Sequence, residues 1–244
     1  MTETAPPVAP VPLERLVIAV DGPSGSGKSS VSRRVATLLG FGCLDTGAMY
    51  RAVTWAALER GVDLGDADAV AALARNVRLD QSLDPEQESV AVDGTDVTTA
   101  IREPRISAAV SRVAANLDVR AELIAQQQAV AARGGVVIEG RDITTVVAPD
   151  APVRVLLTAD PEARVARRAR ELHGSDDAAA LARTRDLVVT RDFRDAVVTS
   201  FTEAADGVVE IDTSHLGFDD VVAALLAVVA QVAPDAQRVL QAAR

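Results

Sequence analysis

The chain has 244 residues with 25 basic and 35 acidic side chains, and its formal net charge of −10 at pH 7 argues against a general nucleic-acid-binding protein. Hydrophobic residues make up 48% of the chain and aromatic residues only 2%, so a core must be built mostly from Ala, Val, Leu and Ile. Cys43 is the only cysteine, which excludes an internal disulfide and fits a reducing compartment, so we expect a cytoplasmic protein.

The two ends of the chain flank one predicted domain, residues 15–235. Residues 1–14 are rich in Pro and Ala and lack the basic start and apolar run of a signal peptide, which indicates a disordered lead-in. Residues 236–244 form a predicted C-terminal tail. The apolar run at 221–232 is too short to span a bilayer and predicts a terminal helix packed on the core, so we expect no membrane association.

Residues 16–40 predict a strand, a glycine-rich loop and a helix. The stretch LVIAVD at 16–21 is short, apolar and β-branched, as a buried strand would be. Apolar residues at helical spacing follow from Val31 to Leu38, and Gly40 supplies a helix stop.

The loop between this strand and helix fits the motif G-x-x-x-x-G-K-[ST]. In this motif the backbone amides cradle phosphates, the lysine reaches the β- and γ-phosphates, and the serine hydroxyl ligates Mg²⁺. The motif lysine, Lys28, is the only lysine in the chain, since the other 24 of the 25 basic residues are arginine. A compact ammonium suits such a loop better than a planar guanidinium. A glycine-rich turn that merely joins strand to helix is the alternative. The candidate ATP- and phosphate-binding residues of the loop are Gly22, Pro23, Ser24, Gly25, Ser26, Gly27, Lys28, Ser29 and Ser30.

The stretch LDTGAMYR at 44–51 follows another expected strand end and groups a carboxylate, a hydroxyl, a phenol and a guanidinium. Tyr50, the only tyrosine, and Arg51 suit an anionic ligand. The same stretch also fits an ordinary helix N-terminus with Asp45 or Thr46 as its cap.

Residues 63–103 interrupt the alternation of strands and helices, so we interpret them as an insertion beside the core. Within them an alternating run at 89–92 and the turn Asp93-Gly94 predict a small β-hairpin. The Ala-rich region 105–132 then predicts two helices.

Buried strands are predicted again at 136–140, 153–159 and 208–212, with helices between them. Strands that alternate with helices imply a parallel sheet covered on both faces, so the predicted fold class is α/β.

The stretch EGRDI at 139–143 directly follows one of these buried strands. Because ligands of open α/β sheets collect beyond the carboxyl ends of the strands, Glu139, Arg141 and Asp142 are candidate site residues. A satisfied ion pair within the loop is the alternative.

The segment after the third strand is rich in arginine. Arg164, Arg167 and Arg168 fall at i, i+3 and i+4 and therefore share one helix face. In an acidic protein this local excess predicts a clamp for phosphates, as phosphoryl transfer requires. A solvated surface helix whose arginines pair with neighbouring carboxylates is the alternative.

Taken together, these stretches make the chain resemble the bacterial cytidylate kinases, a branch of the nucleoside monophosphate kinases. The resemblance covers residues 16–230 and rests on IAVDGPSGSGKSS at 18–30, LDTGAMYR at 44–51, DGTDVTTAIR at 93–102 and VIEGRDITTVVAPDAPV at 137–153. The phosphate loop alone is shared by many proteins, whereas its combination with the other stretches is much more specific.

The resemblance implies a P-loop kinase core with a monophosphate-binding insertion at about 63–103 and a mobile, arginine-rich lid at about 164–195. It implies transfer of a phosphoryl group from ATP, used with Mg²⁺, to CMP or dCMP. A monomer is the simplest expectation for its oligomeric state.

The resemblance also implies roles for single residues. Lys28, Arg141 and Arg191 would be catalytic. The three arginines of the shared helix face would close over ATP. Ser29 would hold Mg²⁺, with Asp45 or Glu139 contributing through water. The residues that would bind CMP are Thr46, Tyr50, Arg51, Ser111, Arg120, Arg141, Asp142, Arg191 and Asp195.

Cytosine recognition is assigned, on the same resemblance, to Ser111, Arg120 and Asp142. The exocyclic amine of cytosine donates a hydrogen bond that a carboxylate can accept. Uracil offers an acceptor at that position, so Asp142 is expected to disfavour UMP.

Two departures from the family pattern keep other functions open. After Asp195 the chain reads AVVTSF, so Val198 stands where the family usually has an arginine, and Arg194 is the candidate substitute. Thr144 stands where the family usually has glycine, which predicts a stiffer or more crowded loop. The alternatives are a P-loop kinase for another small acceptor and a nucleotide-binding protein that has lost turnover.

Overall fold

The structure is a computed structural model that describes residues 11–185, 199 and 201–236. Short 3₁₀ turns lie at Leu13–Arg15 and Ala100–Arg102, and a π-helical turn lies at Ile143–Val147. The main elements in chain order are β1 (Val17–Asp21), α1 (Lys28–Leu39), β2 (Gly42–Asp45), α2 (Thr46–Glu59), α3 (Ala67–Asn76), β3 (Leu79–Gln81), β4 (Val90–Val92), β5 (Thr95–Asp96), α4 (Pro104–Ala114), α5 (Leu117–Ala131), β6 (Val136–Gly140), β7 (Val153–Thr158), α6 (Pro161–His173), α7 (178–185), β8 (Val209–Asp212) and α8 (Phe218–Val232).

A five-stranded parallel sheet forms the centre of the fold, in the order β2-β6-β1-β7-β8. This arrangement confirms the predicted α/β class, and β2 is the strand expected before the stretch 44–51. In the register of β1 and β6, Asp21 lies opposite Gly140. The segments that follow these two strands therefore start side by side at one edge of the sheet.

The faces of the sheet are covered by different helices, because successive side chains of a strand point to opposite sides. In β1, Ile18 and Val20 pack into a core with residues of α1 and α8, including Val35 and Leu225. The alternate residue Ala19 packs into a second core with residues of α2 and α5. All five residues of β1 are buried, as expected for the central strand of a doubly covered parallel sheet.

The insertion contains a small antiparallel sheet in the order β3-β4-β5. The predicted hairpin is confirmed by β4, β5 and the turn between them, where Asp93 and Gly94 both have positive φ. The sheet packs on the small side chains of α2 through Val90 and Val92, and Ile101 of the following 3₁₀ turn joins the same cluster. By contrast, α3 buries Val70 in the second core of the five-stranded sheet.

The predicted C-terminal end of α1 agrees with the structure. Gly40 ends α1 in the left-handed conformation, with φ of 69°. Two helices, α4 and α5, fill the Ala-rich region, and α6 begins at Pro161. No helix within the described residues has the length and apolar character needed to cross a membrane.

We predict that Leu225→Ala lowers the free energy of unfolding by about 2–5 kcal/mol, because it leaves a cavity where α8 meets the sheet. Leu225 is 0% exposed, whereas Leu117, at the start of α5, is 72% exposed. Urea denaturation of Leu225→Ala and of the control Leu117→Ala tests this. Equal stability of the two variants would contradict the packing described for α8.

Candidate functional site

A cleft of about 800 Å³ opens beyond the carboxyl ends of β1, β2 and β6. It gathers residues from all the stretches that the sequence singled out. The predicted site residues that line it are Ser24, Gly25, Ser26, Gly27, Lys28, Ser29, Ser30, Asp45, Thr46, Tyr50, Arg51, Ser111, Arg120, Glu139, Arg141, Asp142, Arg167 and Arg168. Gly22 and Pro23 begin the same loop, and Arg191, Arg194, Asp195 and Val198 lie outside the described residues.

The glycine-rich loop wraps tightly and ends in the first turn of α1. Gly25 and Gly27 have φ of 78° and 89°, and a Cβ on Gly25 would lie 2.6 Å from the main-chain oxygen of Arg164. Gly27 caps α1 without a side chain, so the helix N-terminus presents backbone amides to the cleft. Lys28 Nζ donates to the carbonyl of Pro23 at 3.3 Å.

Glu139, at the end of β6, connects this loop to α2. Its side chain is buried; Ser29 Oγ donates to Glu139 Oε1 at 2.6 Å, and Lys28 Nζ lies 4.0 Å from Oε2. Thr46 Oγ1 donates to the main-chain oxygen of Glu139 at 2.9 Å. Burial, with the nearby charge of Asp45, raises the pKa of Glu139 despite the opposing effect of Lys28 and Ser29.

Asp45 caps α2, as the helix interpretation of this stretch predicts, and it also lines the cleft. Its carboxylate accepts from the amide of Ala48 at 3.0 Å and from Arg51 Nη2 at 2.8 Å. Burial alone would raise the pKa of Asp45, but the charge of Arg51 and the amide of Ala48 outweigh it and lower the pKa to about 2. Asp45 is therefore an ionised group with its charge already compensated by Arg51.

The far end of the cleft holds a buried ion pair between Arg120 of α5 and Asp142. The two side chains are 11% and 9% exposed, and Ser111 of α4 lines the cleft beside them. Tyr50 is also buried there, and burial raises its pKa to about 12. This end offers a carboxylate, a guanidinium and a hydroxyl on largely buried side chains.

Arg141 lies between this end and the glycine-rich loop. Its Nη1 donates to the carbonyl of Gly22 at 2.6 Å, and its guanidinium carbon lies 4.8 Å from the ring centroid of Phe201. The side chain is thus held by a residue on each side.

The three arginines of α6 that were predicted to share one face differ in their contacts. Arg164 does not line the cleft; it donates to the carbonyl of Ser24 at 3.2 Å and supports the glycine-rich loop from behind. Arg167 lines the cleft and donates to Thr213 Oγ1 at 2.8 Å, and Thr213 Oγ1 lies 3.2 Å from the carbonyl of Ser26. Arg168 also lines the cleft.

Several residues of the cleft escaped the sequence reasoning. Arg102 lines it, and Leu216 and Phe218, before and at the start of α8, add partly exposed apolar surface. Arg102 ends the stretch 93–102, but its position there does not indicate a role in the cleft. Arg170, which belongs to the predicted arginine-rich segment, also lines the cleft. Nothing in the local pattern around Phe218 points to a ligand.

Thr144 corrects one expectation. Its amide and its hydroxyl both donate to Asp21 Oδ2, at 2.8 and 2.6 Å. Among the described residues, Asp93 is the one non-glycine residue with positive φ, so the backbone at Thr144 does not require glycine. Of the two expectations for this loop, the hydrogen bonds to Asp21 agree with a stiffer loop, whereas crowding is not seen because the side chain is accommodated by a hydrogen bond.

Comparison with known proteins gives one consistent result. The family model described as "Cytidylate kinase" matches residues 18–231. The chain is 50% identical over 214 residues to the "Cytidylate kinase" of Cutibacterium acnes, which covers 86% of this chain and 94% of that protein. It is 48% identical over 223 residues to the "Cytidylate kinase" of Nocardia farcinica, covering 88% and 94%, and 43% identical over 217 residues to that of Streptomyces avermitilis, covering 88% and 92%.

We predict that the stability difference between wild type and Asp45→Asn depends on pH. The folded-state pKa of Asp45, about 2, lies below the ordinary 3.8, so its ionised form stabilises the fold above about pH 4 and this stabilisation is lost as the pH falls toward 2. Asparagine keeps the cap but loses the charge. Urea denaturation is expected to show a difference of about 2 kcal/mol at pH 7 that falls to about 1 kcal/mol near pH 3.

Asp150→Asn is the control for this measurement, because it removes one negative charge at an exposed position. A difference for Asp45→Asn that stays constant between the two pH values would contradict the ion pair with Arg51.

Proposed function

Because the chain belongs to the cytidylate kinase family, we propose that it transfers the γ-phosphoryl group of ATP to CMP or dCMP, giving ADP and CDP or dCDP. The observation that carries this proposal is that one cleft contains both a phosphate-binding loop and a buried carboxylate–guanidinium pair suited to a base edge. A monomer in the cytoplasm remains the prediction from the sequence.

The donor end of the cleft would be the glycine-rich loop with the start of α1. Its backbone amides and helix N-terminus suit the β- and γ-phosphates of ATP, and Lys28 supplies a compact positive charge there. Arg167 and Arg168, which line the cleft from α6, are candidates to cover these phosphates. Arg164 would act indirectly, by supporting the loop at Ser24.

The oxygen atoms of Ser29 and Glu139, beside this loop, suit Mg²⁺. Ser29 Oγ and Glu139 Oε1 are hard oxygen donors only 2.6 Å apart, and the buried Glu139 carboxylate would gain from a nearby cation. We therefore assign Ser29 as a ligand and Glu139 as a contact through water, in preference to Asp45, which is engaged by Arg51 and the α2 cap. When bound, Mg²⁺ would neutralise charge on the β- and γ-phosphate oxygens.

The acceptor end would be built on Asp142 and Arg120. Arg120 engages Oδ2 of Asp142, so Oδ1 is the proposed acceptor for the exocyclic amine of cytosine. Uracil would place a carbonyl oxygen against this carboxylate, and the buried position of Asp142 makes that mismatch costly. Ser111, beside the pair, would add a further contact to the base.

The acceptor phosphate would lie between the two ends. Arg51, Arg141 and Thr46 line the cleft and are the candidates for this middle part, and Tyr50 borders it from the Asp142 end. Arg191 and Asp195 are the candidates from the segment outside the described residues. Phosphoryl transfer depends mainly on position and charge, so these cations would align the acceptor oxygen in line with the γ-phosphate and stabilise the charge that develops. No covalent enzyme intermediate is required. Closure over the phosphates would exclude water and limit hydrolysis of ATP.

The first test is a coupled ADP-release assay with Mg-ATP and CMP, dCMP, UMP, AMP or no acceptor. We expect kcat/KM for CMP or dCMP to exceed that for UMP by about 10-fold or more, since a wrong base against a buried polar partner costs about 1–3 kcal/mol. A preference for AMP or UMP would assign another acceptor. Intact ATP binding without acceptor-dependent turnover would indicate a nucleotide-binding protein that has lost catalysis.

The second test is Asp142→Ala. Because it removes a buried charged hydrogen-bond partner of the base, we expect the KM for CMP to rise by about 10–100-fold while the KM for ATP changes by less than about 2-fold. Asp150→Ala, at an exposed position after the same strand, is the matched control. An unchanged KM for CMP would remove Asp142 from base recognition.

A further inference from the structure

Four hydrogen bonds join the end of β1 and the residue after it to the segment that follows β6. Arg141 Nη1 donates to the carbonyl of Gly22 at 2.6 Å, and the amide of Ile143 donates to Asp21 Oδ1 at 2.8 Å. The amide and hydroxyl of Thr144 both donate to Asp21 Oδ2, at 2.8 and 2.6 Å. Asp142, the proposed base-reading residue, lies inside this set of bonds.

Asp21 is the centre of the set. Its side chain is 1% exposed, so the carboxylate has lost its hydration and depends on donors from the protein. Three donors reach it, two on one oxygen and one on the other, and bonds to an ionised acceptor are stronger than neutral ones. They fix the first residues of the π-helical turn Ile143–Val147, which directly follows Asp142.

Asp21 itself does not line the cleft, and neither does Thr144. Asp21 ends β1 and precedes the phosphate-binding loop, so its bonds tie the acceptor segment to the start of the donor loop. The distance between the two ends of the cleft then depends on a side chain that touches neither substrate.

We propose that Asp21 is a positioning residue for the acceptor substrate, CMP. The hydroxyl of Thr144 supplies the third of the hydrogen bonds that hold the Asp21 carboxylate in place. In this role Asp21 sets the place of Arg141 and Asp142 relative to the phosphate-binding loop. The assignment rests on the proposed function of the cleft, because it concerns how well that cleft holds CMP.

The groups around Asp21 give this role a dependence on pH. Burial raises the pKa of Asp21, as does the charge of Asp142; the hydroxyl and amide of Thr144 and the amide of Ile143 lower it. On the neighbouring strand β7, Arg154 donates to the carbonyl of Thr144 at 3.4 Å, and Arg141 is engaged with Gly22. Protonation of Asp21 would weaken its hydrogen bonds from these amides. We therefore expect CMP to bind more weakly as the pH falls.

The decisive variants are Thr144→Val, which removes the hydroxyl at nearly constant shape, and Thr144→Ser, which keeps it. Thr54→Val is the matched control: Thr54 is also fully buried, and its hydroxyl donates to the carbonyl of Tyr50 within α2. For each variant kcat and KM for CMP and ATP are measured across pH, and urea denaturation checks that the variant is folded.

For Thr144→Val we expect the KM for CMP to rise by about 3–10-fold, the KM for ATP to change by less than about 2-fold, and the acid limb of kcat/KM for CMP to move to higher pH. Thr144→Ser should restore both properties, and Thr54→Val should leave both as in wild type. A merely structural role would lower stability without moving the acid limb.

The proposal is overturned if folded Thr144→Val keeps the wild-type KM for CMP and the wild-type acid limb, or if Thr54→Val moves them equally. These outcomes leave the kinase assignment intact, because wild type still phosphorylates CMP. Failure of wild type to use CMP would overturn the proposed function, and this assignment with it.

Discussion

The site depends first on the buried carboxylate of Glu139. A carboxylate at the end of a central strand is stable only if donors replace its lost water, and here they come from the start of α1. Its main-chain oxygen holds Thr46 at the start of α2. The residue after it, Gly140, allows this close approach, because a Cβ there would lie 2.5 Å from Thr46 Oγ1. Two helix starts and one strand end are thus held together by a single residue, through its carboxylate on one side and its main-chain oxygen on the other.

The parallel sheet brings the other segments of the cleft to the same edge as Glu139. Because β2, β6 and β1 are neighbours running in one direction, the segments after them emerge together although they are separated by many residues in the chain. Asp45, Glu139 and the phosphate-binding loop meet for this reason. The charge pattern follows the same plan, with arginines collected on one cleft of an otherwise acidic protein. Such a concentration attracts anionic nucleotides while the rest of the surface repels them.

The sequence predicted the parts of the fold that local patterns encode. Apolar β-branched runs identified the buried strands, and Gly40 marked the end of α1. The strand β3 was not predicted, because its residues, Leu79–Gln81, are mostly polar and partly exposed. Its pairing with β4 is therefore a tertiary contact without a local signal.

The roles of single side chains were harder to predict from the sequence than the strands and helices. Helical spacing placed Arg164 with Arg167 and Arg168, but it could not show that Arg164 turns behind the phosphate-binding loop. The partner of Thr144 lies 123 residues away, beyond any periodicity argument.

The single lysine has a practical consequence for following this protein at work. Lys28 is the one lysine of the chain, its side chain is 11% exposed, and it stands in the phosphate-binding loop beside Glu139. Isotopic labelling of lysine would therefore introduce one side-chain amine signal, and that signal would come from the cleft. A reagent that modifies lysine side chains would likewise act at this one position. The native chain carries its own site-specific spectroscopic probe, with no engineered residue required.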